Sequence, residues 1–453
     1  MPSISEDMTD FLVDYESTIN VPSDFKNKDL YSLEFNDRPY GKQYASIYAT
    51  RLAHLRPRVL HNAKKKWGEE VVNGKKVVKK EKVLDIHSDE PSWVVGTIFC
   101  DMKYKPNILD EVSSGIQGAD TSIKTYTDPD LDQIMLEDES GRVALEGDLV
   151  KNTILVTGTV VGILGMESRP GVFQVVDIVY PFTSAQKPTR KSSSKVAIVS
   201  GLHFNGLESI KHEALKDYLT GELGLETSKS VSRLIIAGNS VLVSGEPEVD
   251  EKNKYGAKNK SNFSLDSITQ LDTFLTDTLQ SIPIDMMPGE SDPAETSLPQ
   301  QPLHKAFFQK SKAYLNTSTF RTITNPAWIQ YDELRLLGTS GENINDIYKY
   351  VVPNSVQDSR INMIEATMVW QNIIPTAPDT LWCYPYSDKD PFSLTETPHV
   401  YFVGNQPKYE TKMLQLDNTT KVKLIAIPTF SETGQFVILD TDTLESEVIT
   451  LDS

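Results

Sequence analysis

The chain has 453 residues, of which 39% are hydrophobic, with 45 Lys and Arg against 63 Asp and Glu and a formal net charge of −18. This length predicts two or three folded units with sizeable cores, which excludes a single small module and a disordered chain. The acidic balance disfavours a protein that binds nucleic acid by itself, because that affinity comes from Lys and Arg side chains that displace counterions.

Residues 1–35 are rich in Asp, Glu, Ser and Asn, and we interpret them as an N-terminal arm that is ordered only where something holds it. The start of the arm lacks the basic and apolar stretches of a signal peptide. No run in the chain approaches the roughly 18 apolar residues of a membrane span. The sequence therefore predicts a soluble intracellular protein that does not bind a membrane.

Between Gly41 and Lys82 the charge reverses, with twelve Lys and Arg against three Glu. Five apolar side chains recur there at helical spacing: Tyr44, Tyr48, Leu52, Leu55 and Val59. This spacing predicts an amphipathic helix with a basic back, kinked or ended near Pro57. The basic back is either a solvated face or a surface for DNA or an acidic partner.

From Trp93 to Tyr180, β-branched and aromatic runs are separated by Gly, Asp and Ser, and no helical run is long enough for a βαβ unit. The pattern predicts an antiparallel barrel of about five strands, of the OB class that can bind single strands. Residues 101–150 carry twelve acids against four bases, which favours a barrel used for packing. We also predict a hairpin turn at 136–142 in which Gly141 adopts an unusual backbone angle.

A Pro-, Ser- and Lys-rich linker is predicted at 186–195, so that a helix and OB-fold domain spans 36–185 and a second domain spans 196–453. In the second domain buried strands and helices alternate, which predicts an α/β sandwich with its site at the strand ends. The overall fold class is thus all-β followed by α/β. The polar stretch 245–262 is expected to be a mobile insertion.

The strand ends of the second domain resemble those of the calcineurin-like metallophosphoesterases. Active members of that family clamp two metal ions between carboxylates and imidazoles, and these ions activate water. Here Gly201 stands at the position of the first metal-binding Asp, and His203 remains from that motif. Asn239 stands at the position of the Asp that would bridge the metals.

The two remaining motifs depart from the family in the same way. Glu290 and Ser291 replace an Asn and a His before Asp292, and Asn405 and Pro407 lie where two imidazoles are expected. The resemblance therefore implies an inactive phosphoesterase-like sandwich with no catalytic residue, no metal and no cofactor.

Longer strings such as PTAPDTLWCYPY, SLPQQP and LVTGTVVGILGMES are similar to the B-subunit family of replicative DNA polymerases, in its polymerase delta branch. The resemblance runs from about Tyr40 to the C-terminus. It implies a nuclear, non-catalytic subunit that docks the cysteine-rich C-terminal domain of the catalytic subunit, holds the third subunit and contacts DNA only indirectly. It implies roles in lagging-strand synthesis and repair and, from fungal members, sharing with translesion polymerase zeta.

Trp382, Tyr384 and Tyr386 lie in the proline-bracketed loop of that first string. Large aromatic side chains often anchor protein interfaces, so these three are candidate partner anchors. The alternative is that they fill the emptied metal site from inside. Cys100 and Cys383 are the only cysteines and are too few for a thiolate metal cluster within this chain.

Two other functions stay open. A metal-dependent phosphodiesterase or nuclease with residual activity would require manganese-dependent hydrolysis that His203→Ala and Asp292→Ala abolish. An independent single-stranded-DNA-binding OB protein would require micromolar or better affinity with a steep dependence on salt.

Overall fold

The computed structural model describes residues 19–22, 24–34, 44–72, 74–88, 90–106, 124–189, 194–223, 230–242, 264–355 and 357–451. The expected insertion at 245–262 and most of the expected arm at 1–35 lie outside these residues. The described part of the arm is held by the second domain. Gln301 Nε2 donates to the Tyr31 carbonyl at 3.0 Å, and Arg335 Nη1 donates to the Lys26 carbonyl at 2.6 Å.

The described helices are α1 (Ala45–Trp67), α2 (Asp148–Lys151), α3 (Ile210–Thr220), α4 (Leu265–Leu279), α5 (Glu342–Lys349), α6 (Arg360–Trp370) and α7 (Phe430–Thr433). The strands before the linker are β1 (Val71–Val72), β2 (Lys75–Lys76), β3 (Val78–Lys79), β4 (Ser92–Asp101), β5 (Gln133–Glu137), β6 (Arg142–Glu146), β7 (Val160–Arg169) and β8 (Val172–Val179). Those after it are β9 (Lys195–Val199), β10 (Val231–Ala237), β11 (Ile284–Met287), β12 (Phe320–Thr322), β13 (Ala327–Tyr331), β14 (Leu334–Thr339), β15 (Val400–Gln406), β16 (Glu410–Gln415), β17 (Lys421–Pro428), β18 (Gln435–Asp440) and β19 (Ser446–Thr450).

The predicted barrel is confirmed. Its sheet runs β3-β4-β5-β6-β8-β7, and β4 also pairs with β7, so that the five long strands close on themselves. Pairing is antiparallel except between β6 and β8 and between β3 and β4. Closure leaves the barrel without an open edge between its first and last strands.

The hairpin between β5 and β6 is confirmed, but the role given to Gly141 is wrong. Gly141 does not have a positive φ. The Asp138 carboxylate holds the turn instead, since its Oδ1 accepts from the Ser140 amide at 2.8 Å and from the Gly141 amide at 3.2 Å. A side chain that bonds to nearby amides makes the tight turn possible with ordinary backbone angles.

Helix α1 is confirmed, but it does not end near Pro57 and its buried row differs from the predicted one. It continues past Pro57 to Trp67, and its buried row repeats every four residues: Ile47, Arg51, Leu55, Val59, Ala63 and Trp67. Tyr44 is 39% exposed and lies outside this row. Burial of the helix against the barrel on both sides of the proline offsets the hydrogen bond that the proline removes.

The second domain is a four-layer sandwich. One sheet has the order β12-β11-β10-β9-β18-β19 and the other β13-β14-β15-β17-β16. One apolar cluster lies between the sheets and includes Ile198, Ile235, Leu336, Phe402 and Ile425. Helices α3 and α4 cover the outer face of the first sheet, and α5 and α6 cover that of the second. Sheets covered on both faces explain why β9, β10 and β15 are nearly continuous apolar runs.

The barrel and the sandwich share a core. One cluster of buried side chains includes Ile98 and Phe173 of the barrel together with Leu337, Met363 and Trp370 of the sandwich. The connection between the domains is also held, because His399 bonds through Nε2 to the Lys187 carbonyl at 2.8 Å. Among the described residues, no helix has the length and apolar character needed to cross a membrane.

Candidate functional site

The fold brings most of the predicted site positions together at the carboxyl ends of the strands. Gly201 follows β9, Asn239 follows β10, the segment 290–292 follows β11, and Asn405 lies in β15 of the opposite sheet. Asn405 Nδ2 donates to the Ser340 carbonyl at 2.7 Å and to the Ala237 carbonyl at 3.3 Å. These bonds tie the ends of the two sheets to each other.

Gly201 leaves no space for a side chain such as the carboxylate that the phosphoesterase resemblance predicts at this position. A Cβ atom at Gly201 would lie 2.6 Å from Thr429 Cγ2 and 2.7 Å from Asn405 Oδ1, both closer than side-chain carbons approach other atoms. The neighbouring turns are equally tight, since a Cβ at Gly238 would lie 2.4 Å from Ser340 Cβ. The backbone at these two strand ends is therefore packed directly against side chains of neighbouring segments.

The backbone at this site adopts left-handed conformations that side chains rarely accept. His203, Asn239 and Asn405 have φ values of 49°, 55° and 53°. Gly201 and Gly238, next to two of them, have φ values of 65° and 81°. Such angles cluster at binding and catalytic sites, where the surrounding structure holds them. The strand ends thus contain strained backbone that the packing around them holds in place.

Asp292 is bonded to the backbone of the loops around it. Its Oδ1 accepts from the amides of Ser240 at 2.8 Å and Val241 at 3.0 Å, and its Oδ2 accepts from the amide of Gly289 at 2.9 Å. Because the carboxyl is only 3% exposed, burial raises its pKa to about 7, although the backbone amides act in the opposite direction. Asp292 therefore clips the loop after β11 to the loop after β10.

We expect the free energy of unfolding of the wild type to fall relative to that of Asp292→Asn as pH rises from about 4 to 7. In that range the unfolded carboxyl ionises while the buried one keeps its proton, so rising pH favours the unfolded state. Urea unfolding of both chains at several pH values measures the difference. The exposed Asp130, changed to asparagine, controls for the loss of one carboxylate. If the difference in the free energy of unfolding between the two chains does not change with pH, the pKa of Asp292 is not raised in the folded protein.

The other positions of the third and fourth motifs are structural or peripheral. The Ser291 amide donates to Asn239 Oδ1 at 3.0 Å, and its hydroxyl donates to the Val241 carbonyl at 2.7 Å. Glu290 is exposed on the same loop, and Pro407 is exposed just beyond β15. Both polar groups of Ser291 are thus bonded to the loop after β10.

His203 is half-buried and bonds through Nδ1 to the Ser431 hydroxyl at 2.9 Å. Burial lowers its pKa, which the nearby Glu432 partly offsets. Within the described ranges, no group of three or more His, Cys, Asp or Glu side chains is arranged to hold a metal ion. The donors present at the strand ends, mostly amides and hydroxyls already bonded to the protein, do not fit a centre of two metal ions.

Sequence reasoning missed a second acidic side chain beside this cluster. Glu342, at the start of α5, accepts from the Ser340 hydroxyl at 2.6 Å and from Asn325 Nδ2 at 3.1 Å. Burial raises the pKa of its carboxyl. Its signal in the sequence is a strand that ends in Gly-Thr-Ser-Gly followed by an acid, the same strand-then-glycine pattern as the other motifs.

The aromatic loop lies mainly inside the protein. Tyr384 and Tyr386 are 6% and 2% exposed, stack edge to face at 4.9 Å, and Tyr386 also contacts Phe392. These rings belong to the core that the barrel and sandwich share. Buried rings do not contact a partner without rearrangement, so the prediction of an anchor is kept for the half-buried Trp382 alone.

The aromatic side chain on the β4 face of the barrel is covered by cations. Arg142 lies 4.1 Å and Lys105 4.5 Å from the centre of the Phe99 ring. Each cation also has a carboxylate partner, since Arg142 pairs with Glu137 at 2.7 Å and Lys105 with Asp379 at 2.9 Å. This arrangement neither exposes a ring for base stacking nor leaves these two charges for phosphates.

Comparison with known proteins gives two family matches and several full-length relatives. The family of the DNA polymerase delta subunit OB-fold domain matches residues 43–178, and the B-subunit family of DNA polymerase alpha/epsilon matches residues 196–411. The DNA polymerase delta small subunit of Saccharomyces cerevisiae is 44% identical over an alignment 459 residues long. This alignment covers 93% of this chain and 92% of the yeast chain. The small subunit of Oryza sativa subsp. japonica is 39% identical and the DNA polymerase delta subunit 2 of Drosophila melanogaster 36% identical, each over 90% of this chain and 93% of the relative.

Proposed function

The chain belongs to the DNA polymerase delta small-subunit family, and on that premise we propose that it is the scaffold that joins the other subunits of the polymerase. As a member of this family it is an accessory subunit with a role in DNA replication. The partners we propose are the cysteine-rich C-terminal domain of the catalytic subunit and the third subunit. In a fungal setting the polymerase zeta catalytic subunit is a further proposed partner.

The packing at Gly201 carries the proposal that the second domain is a degenerate phosphoesterase and not an enzyme. Gly201 is the position that would supply the first metal-binding carboxylate. A Cβ atom there would lie 2.6 Å from Thr429 Cγ2 and 2.7 Å from Asn405 Oδ1. A carboxylate there would require the opposite sheet to move. The strained strand ends are therefore interpreted as the remnant of a site whose contacts now stabilise the sandwich.

The shared core supports the scaffold part of the proposal. Because barrel and sandwich are packed through one cluster of buried side chains, a partner that binds both does not have to order them first. A rigid platform of this kind suits large, permanent interfaces. We place the protein in the nucleus, with DNA contacted only through the assembled polymerase.

Co-assembly tests the scaffold role. When the purified chain is mixed with the catalytic subunit and the third subunit, we expect all three to co-elute in gel filtration. Without this chain, we expect the other two to elute separately, because it forms the bridge between them. A catalytic subunit that lacks its cysteine-rich C-terminal domain is the control and should lose both partners. Direct association of the catalytic and third subunits would exclude the bridge.

The same purified chain tests the enzymatic alternative. We expect no hydrolysis of a phosphodiester with Mn²⁺ above that of a chain carrying both His203→Ala and Asp292→Ala. Turnover that both substitutions abolish would replace the scaffold proposal with a phosphodiesterase.

A further inference from the structure

A lysine-rich surface, formed by residues 64–82, lies at the C-terminal end of α1. These residues include eight lysines and three glutamates, a net charge of +5 in a chain whose net charge is −18. The surface comprises the last turn of α1, the hairpin of β1 and β2, and β3, which pairs with β4 of the barrel. Trp67 and Val77 pack in one apolar cluster beneath it, so the lysines are carried on folded elements.

Acids nearby neutralise only part of this charge. Four of the lysines pair with a carboxylate, in the pairs Lys66–Asp177, Lys76–Glu69, Lys79–Glu81 and Lys80–Glu90. These pairs lie at the surface, where water screens them and a competing anion can replace the carboxylate. Lys64, Lys65 and Lys82 are exposed and make no ion pair with any residue that the structure describes, and Glu70 is the one glutamate of the surface without a cation there. A net positive charge therefore remains.

The end of the helix accounts for only some of these lysines. Cations in the last turn of a helix interact favourably with its carbonyl groups, which explains the presence of Lys64, Lys65 and Lys66. The five lysines of residues 75–82 lie on or beside short strands, which have only small dipoles. Like charges on neighbouring side chains repel each other, so an anion that binds several of them at once also relieves this repulsion.

The residue types of the surface favour phosphate over an acidic protein partner. Protein interfaces are depleted in lysine and enriched in arginine and aromatic residues. All cations of residues 64–82 are lysines, and their one aromatic ring, Trp67, is only 1% exposed. Val71 and Val78 are exposed but are too small a set to form the apolar centre of a protein interface. Phosphate groups, by contrast, bind ammonium groups on flexible stems without any apolar contact.

We propose that the lysine-rich surface binds the phosphate backbone of DNA when the chain is part of the assembled polymerase. The inference rests on the proposed scaffold function and goes beyond the indirect contact with DNA that the family resemblance implies. Because the chain as a whole is acidic, the contact forms only where the other subunits already hold DNA beside this surface. Since its one ring is buried, the surface binds DNA without base stacking and without sequence preference.

Neutralising four exposed lysines of the surface tests the contact. The chain that carries Lys64→Gln, Lys65→Gln, Lys76→Gln and Lys79→Gln is assembled with the purified catalytic and third subunits. We expect its dissociation constant for a long, labelled primer–template duplex to rise at least tenfold at low salt, measured by fluorescence anisotropy. The slope of log affinity against log salt concentration should decrease by about 0.9 for each phosphate contact that is lost.

Four exposed lysines of the sandwich provide the matched control. The chain that carries Lys305→Gln, Lys310→Gln, Lys312→Gln and Lys408→Gln has the same change of charge, and its dissociation constant should stay within threefold of wild type. Equal effects of the two sets of changes would refute the surface. If the first variant instead loses a subunit in gel filtration, the surface binds an acidic protein segment and the proposal is wrong. If the wild type assembles with neither subunit, the scaffold proposal fails, and this inference fails with it.

Photo-crosslinking shows whether the contact is direct. With a photoreactive phenylalanine analogue at position 76 of the full chain, we expect the assembled polymerase to crosslink to a DNA strand of the duplex. The same analogue at position 312, on the sandwich, should give no crosslink to DNA. Crosslinks from position 76 to protein alone would overturn the proposal.

Discussion

Replacing Arg51 with methionine is expected to lower the free energy of unfolding of the whole chain by about 3–5 kcal/mol. Arg51 lies on α1 and is 0% exposed. Its Nε donates to Asp390 Oδ2 at 2.7 Å, and its two Nη atoms donate to the carbonyls of Pro375 at 2.6 Å and Ala377 at 2.8 Å. The substitution leaves a buried carboxylate and two buried carbonyls without their cation, and it removes three hydrogen bonds between the helix and the sandwich.

Urea unfolding, followed by circular dichroism, measures this loss. Arg56→Met on the same helix is the control, because Arg56 is partly exposed and lies 3.7 Å from the mostly exposed Glu139. Exposed ion pairs contribute less than about 1 kcal/mol, so this variant should unfold close to the wild type. If both variants lose the same free energy, the buried ion pair does not join the domains as we describe.

Gly201→Asp, which adds the carboxylate that the phosphoesterase resemblance predicts, is expected to destabilise the protein by about 2–5 kcal/mol and to produce neither manganese binding nor hydrolysis. The new Cβ would overlap Thr429 Cγ2 and Asn405 Oδ1, and the backbone φ of 65° is unfavourable for any side chain with a Cβ. Both effects act in the folded state. Urea unfolding measures the first expectation and isothermal calorimetry with Mn²⁺ the second.

The same substitution at a second glycine separates the cost of overlapping atoms from the cost of backbone strain. Gly171 has a similar φ of 78°, but a Cβ there would meet nothing within 4 Å. Gly171→Asp should therefore show the backbone cost alone, about 1–2 kcal/mol. A Gly201→Asp chain that is as stable as Gly171→Asp and binds two manganese ions would show that the site has only lost its ligands and has not closed.

Local pattern was enough to predict most of the secondary structure. The barrel strands, helix α1 and the alternation of buried strands with helices after the linker all lie where residue alternation and helical spacing indicate. These signals are short-range properties of neighbouring residues. The family could be recognised for a related reason, because strings such as PTAPDTLWCYPY are contiguous in the chain.

Local pattern does not determine the environment of side chains whose partners are distant in sequence. Arg51 belongs to a helix with a basic back, yet it is buried because Asp390, 339 residues away, and two carbonyls face it. Tyr384 and Tyr386 are aromatic residues of the kind that anchors interfaces, yet both rings are buried in the core that the barrel and the sandwich share. Asp292 stands in a metal-site motif, yet its oxygens are bonded to three amides from two loops.

Residue types and their spacing determined which elements form, and they placed glycine, asparagine and serine at the strand ends. Only the tertiary structure decided that Gly201 faces Asn405 and Thr429 at contact distance, and that α1 turns its arginines toward the sandwich. The physical reason is that helical and strand periodicity depend on neighbours along the chain, whereas burial and the satisfaction of buried polar groups depend on which distant segments meet.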